Sequence, residues 1–106
     1  PQPPQQPPQQ HPLQQVADLI AQPNLDDEGQ AQAEMLARDT FHDAPFQNRL
    51  RAVRAGQGPP LHPAEQVVLN TYLRRLKRKW EVGTLTDEEF SELQFLRPGT
   101  KRRGPK

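Results

Sequence analysis

Apolar residues in this chain return every three or four positions, which is the period of a helix rather than of a strand. The clearest run is Val68 or Leu69, Tyr72, Leu73, Leu76 and Trp80, which predicts a long helix over 63–81. Pro63 suits its first turn and Gly83 its end. Phe46, Leu50 and Val53 stand at i, i+4 and i+7 and predict a second helix over 44–55. Asp43 is placed as its N-cap, Pro45 in its first turn, and Gly56 at a left-handed C-terminal cap. Arg49, Arg51 and Arg54 stay off that stripe. A weaker stripe of Ala33, Leu36 and Ala37 predicts a helix over 26–40, with Met35 to one side. Its opening acids, Asp26, Asp27 and Glu28, stand where the helix dipole favours them.

The segment LTDEEF, residues 85–90, reads as a helix start. Thr86 and Glu89 form a T-x-x-E capping box, and Leu85 and Phe90 have the spacing of a hydrophobic staple. The helix continues through Leu93 and Leu96 to the residue before Pro98. Nearer the N-terminus, Leu13, Val16, Leu19 and Ile20 give residues 13–24 the pattern of a short amphipathic helix or a linker, stopped by Pro23. At about ten residues it is too short to be stable alone and must dock on something.

β-branched residues are few, and no alternating run predicts a strand. The expected fold is therefore all-α: a small bundle of three to four helices across residues 25–96. The expected core is Phe46, Leu50, Val53, Leu69, Tyr72, Leu73, Leu76, Trp80, Phe90 and Leu93. Two tails flank it. Residues 1–12, PQPPQQPPQQHP, are low-complexity Pro and Gln, expected to be disordered and partly polyproline II. Their PxxP spacings lack the basic flank of an SH3 ligand. Residues 97–106 are expected to be an unstructured basic tail.

Composition narrows the picture. Of 106 residues, 32% are hydrophobic, so the core is small. A domain of this size draws only ~3–5 kcal/mol from one core and often leans on a partner or on self-association. There is no Cys, which removes disulfides, thiolate metal sites and Cys nucleophiles, and fits a reducing intracellular compartment: cytoplasm, nucleus or virion. No apolar run approaches a membrane span, and no signal peptide shows. The chain opens on Pro rather than Met, as a processed product or an excised fragment does.

Candidate chemistry is sparse. His11, His42 and His62 lie in separate segments without metal-ligand spacing, so no metal or other cofactor is expected. His42 and Asp43 are adjacent, but side chains at i and i+1 diverge on a helix, and no GxSxG motif is present. The acidic clusters Asp26–Glu28 and Asp87–Glu89 are explained by helix N-termini. No catalytic residue is expected, nor a small-molecule substrate.

Charge is more informative. Residues 1–61 carry four Arg against seven acids, while residues 62–106 carry ten Lys or Arg against six. The excess sits in Arg74, Arg75, Lys77, Arg78 and Lys79 and in the tail residues Lys101, Arg102 and Arg103. Dipole compensation at a helix C-terminus accounts for two or three cations, not five in six positions. With Leu69, Tyr72, Leu73, Leu76 and Trp80 turned inward, these cations are expected to be wet and free. The stretch from this basic helix through EVGTLTDEEFSEL, about residues 73–96, resembles the short helix–Gly–helix (SHOCT-like) modules appended to many bacterial proteins. Gln94 and Phe95 stand where that pattern has a Lys before its closing leucines. The resemblance implies interaction or oligomerisation rather than chemistry.

The expected function is a non-catalytic helical interaction module, an adaptor or assembly unit. Its partner would be another protein chain or a second copy, met through a basic surface. The alternative is a nucleic-acid-binding protein, with Arg74–Lys79 and the tail on DNA or RNA phosphates, as in a transcription regulator.

Overall fold

The structure, a computed structural model, describes residues 11–101. Five α-helices cover them: α1 Gln14–Ile20, α2 Asp27–His42, α3 Ala44–Arg54, α4 Pro63–Val82 and α5 Asp87–Leu96. No strand occurs among the described residues. The all-α bundle follows the periodicity, with one helix more than the three to four expected, because residues 14–20 form α1 rather than a linker. The Pro/Gln-rich stretch 1–10 and the tail residues 102–106 lie outside the described residues.

Each helix begins and ends for a local reason. Asp26 caps α2 with its own carboxylate, which accepts the Gly29 N–H at 2.7 Å. Asp43 stands at the N-cap of α3, but its side chain makes no capping bond. Instead Gln47 Nε2 donates to the Phe41 carbonyl at 2.6 Å across the α2–α3 corner. α3 ends in a Schellman arrangement at Gly56, where φ is +72° and Gln57 N–H reaches the Ala52 carbonyl. His62 caps α4: its Nδ1 accepts the Ala64 N–H at 3.0 Å, and Glu65 Oε1 accepts the His62 N–H at 2.8 Å. Gly83, φ +79°, closes α4 as Gly56 closes α3. α5 opens with the reciprocal Thr86–Glu89 box, at 3.1 and 3.0 Å.

α4 is the central element, packed against α1, α2 and α5, while α3 packs on α2. The core gathers Ile20 from α1, Ala33, Ala37 and Phe41 from α2, Phe46 and Leu50 from α3, Val68, Tyr72 and Leu76 from α4, and Leu93 from α5. Of the expected core residues, Phe46, Leu50, Tyr72, Leu76 and Leu93 are buried; Leu69, Leu73 and Trp80 are half-buried against them. Val53 and Phe90 are half-buried outside that cluster. Tyr72 stacks on Phe41 with ring centroids 4.5 Å apart.

Candidate anion-binding surface

The basic residues of α4 occupy both flanks of a helix whose inner face is fixed by Val68, Tyr72 and Leu76. The sequence places all five cations in water, but three of them turn to acids of the same chain. Glu34 of α2 is only 4% exposed. It receives both ends of the Arg78 guanidinium, Nη1 on Oε2 at 2.8 Å and Nη2 on Oε1. Arg75 Nη1 lies 3.8 Å from the same carboxylate. Lys79 Nζ stands 2.7 Å from Glu89 of α5. Burial pushes the Glu89 carboxyl up, but Lys79 and the Thr86 N–H outweigh it and hold it below the usual carboxylate range.

Arg74 and Lys77 are different. Both are exposed, and neither forms an ion pair among the described residues; Arg74 Nη2 only reaches Thr71 Oγ1 at 3.5 Å. Both point into an open groove of about 340 Å³, lined also by Asn70, Leu73, Arg78 and Glu81 of α4 and by Arg97, just past α5. Arg78, 53% exposed at its side chain, borders this groove while holding Glu34. Lys101 is exposed, and its carbonyl accepts Trp80 Nε1–H at 2.8 Å, which ties the start of the basic tail to α4. Arg102 and Arg103 lie outside the described residues.

Two further polar clusters hold the bundle together. Glu65, 1% exposed, takes a two-point grip from Arg49, Nε and Nη2 each at 3.1 Å. Arg49 Nη2 also donates to the carbonyls of Pro59 and Pro60, fixing the loop between α3 and α4. Burial pushes the Glu65 carboxyl up, but Arg49 and the His62 N–H more than reverse this, so it stays below the usual range. On the opposite side, the Tyr72 hydroxyl donates to Glu92 Oε1 at 2.7 Å, and His42 Nε2 lies 2.5 Å from Glu92 Oε2. Burial, and then the Glu92 carboxylate, push the Tyr72 phenol well above its ordinary value.

Sequence reasoning assigned no role to Glu34, Glu65 or Glu92. A signal existed for two of them. Glu34 abuts the Ala33–Ala37 stripe, and Glu65 lies one turn before Val68, so each carboxylate faces the core and requires a cation. Among the described residues no cluster of three or more His, Asp or Glu is arranged to hold a metal ion. No described helix is long and apolar enough to cross a membrane. Comparison with protein-family models, curated proteins and solved structures finds no match to this chain.

Proposed function

We propose that this protein is a non-catalytic helical interaction module that presents the Arg74–Lys77 side of α4 to an anionic partner. The observation that carries this reading is the open groove in which Arg74, Lys77 and Arg97 stand together, outside every ion pair among the described residues and outnumbering the one carboxylate there, Glu81. A cation left unpaired beside others of the same sign is favoured most when something negative meets it. A structural role accounts for Glu34, Glu65 and Tyr72, each of which is answered within the chain. Nucleic acid is the second reading, favoured by the Trp80–Lys101 bond, which seats Lys101 beside α4.

The test is residue-by-residue NMR mapping while an acidic polypeptide, and separately a DNA duplex, is added at low salt. Shifts centred on residues 70–78 and 97 are expected. No perturbation there by either polyanion ends the proposal.

A further inference from the structure

Resting on that basic-face reading, we infer that the groove of Leu73, Arg74, Lys77, Arg78, Glu81 and Arg97, in which cations outnumber the one acid, is a docking site for an acidic protein segment that alternates carboxylates with apolar side chains, rather than for a phosphate backbone. Three observations converge on this partner.

The first is the amount of charge left over. Five cations on α4 would suit a nucleic acid, but Arg75, Arg78 and Lys79 are engaged with Glu34 and Glu89. In the groove itself Arg74, Lys77 and Arg97 remain, set against the carboxylate of Glu81. Each phosphate neutralised contributes a salt slope of about 0.9, so the roughly three contacts that this groove offers would by themselves hold a duplex only weakly at physiological salt.

The second is the groove floor. Leu73 is half-buried against the core and also lines the groove, between Asn70 and Lys77. It offers an apolar contact one helical turn wide, flanked by Arg74 and Lys77. Lys77 and Arg78 follow Arg74 at i+3 and i+4, each about 5–6 Å from it at Cβ, close to the ~6.6 Å between alternate carboxylates on one face of an extended peptide. A guanidinium binds a carboxylate through two parallel N–H bonds, and the exposed heads of Arg74 and Arg97, in no ion pair among the described residues, are available for that geometry.

The third is the absence of a stacking platform. Single-stranded nucleic acid is held by aromatic rings between its bases. No ring lines this groove. Elsewhere Phe41, Phe46 and Tyr72 are buried, Phe95 lies 4.5 Å beneath the Arg54 guanidinium, and Trp80 is half-buried with its N–H on Lys101.

The experiment titrates the full chain by calorimetry, at low and physiological salt, with three probes: a short peptide alternating Glu and Leu, an oligoglutamate of equal length, and a DNA duplex. The Glu/Leu peptide is expected to bind at physiological salt roughly tenfold tighter than oligoglutamate, and more tightly than the duplex. The double variant Arg74→Glu, Lys77→Glu, both positions exposed, is expected to keep its helical circular dichroism and lose peptide binding by roughly a hundredfold. Equal binding of peptide and oligoglutamate overturns the inference, because the groove floor then contributes nothing. Tighter binding of the duplex, with a steep salt slope, also overturns it, places the tail on phosphates and leaves the basic-face reading standing. Full binding by the folded double variant overturns the assignment to this groove. Binding of no polyanion even at low salt removes both readings.

Discussion

Glu34 decides how much of the positive charge on α4 faces the solvent. It is buried, and it holds Arg78 by two hydrogen bonds with Arg75 close by. Glu34→Gln leaves two guanidinium groups without their counter-charge. Because Arg78 is half exposed and rehydrates easily, the loss should be about 1–3 kcal/mol in urea unfolding, below the usual range for a fully buried pair. The same variant releases Arg78 towards the groove and should strengthen, not weaken, binding of an acidic peptide. Tyr72 supplies a second residue-level prediction. It is the only tyrosine in the chain, and its hydroxyl is fixed on Glu92. With the folded-state ionisation raised, the protonated phenol stabilises the fold below its unfolded value, and that contribution fades as pH climbs past ~10. Phenolate absorbance should therefore appear only together with alkaline unfolding. At this scale the sequence was least legible. The basic run was plain, but the partners of Arg78 and Tyr72 lie 44 and 20 positions away, and no local pattern reports such pairings.

The helices themselves were easier to read, because their causes are local. Thr86 and Glu89, Pro63 and Gly83, and Gly56 all do in the structure what their chemistry at those positions demands. Asp43 is the exception: it occupies a cap position, yet Gln47 secures the corner instead. The short α1 was ambiguous because its stability comes from Ala17 and Ile20 docking on α2 and α4 rather than from its own seven residues. Thr86→Ala should destabilise by about 1 kcal/mol and speed amide exchange through residues 87–96 first. The α3–α4 clamp governs acid behaviour. The Glu65 carboxyl is held below its unfolded value, so its contribution is complete above about pH 5 and is lost as pH falls through the lowered folded value. Glu65→Gln should flatten the acid limb of a stability-versus-pH curve while lowering stability at neutral pH.

In the whole molecule, α4 packs against α1, α2 and α5, and α3, packed on α2, is tied to it through the Arg49–Glu65 pair. Exchange protection should be deepest along the Val68–Leu76 face and shallowest in α1. Ile20→Ala, which removes the largest buried side chain of α1, should cost about 2–4 kcal/mol and loosen residues 14–20 ahead of the rest, as read by proteolysis and exchange. If α1 stays protected in that variant, its docking does not depend on this contact. The overall class was visible from periodicity because every helix must bury one stripe, and only an all-helical packing satisfies five of them without a sheet. The charge distribution of the assembled surface was not visible, since it depends on which acids come to lie beside which bases after folding.

The Trp80 indole, bonded to the Lys101 carbonyl, has a further use. It is the sole indole in the chain, and it stands where the polypeptide leaves the bundle towards its cationic end. Its emission maximum is therefore an intrinsic optical gauge of whether that junction stays seated. A ligand that pulls the terminal stretch away should redden the emission, and one that settles over it should shift it to the blue, with no dye attached to the protein.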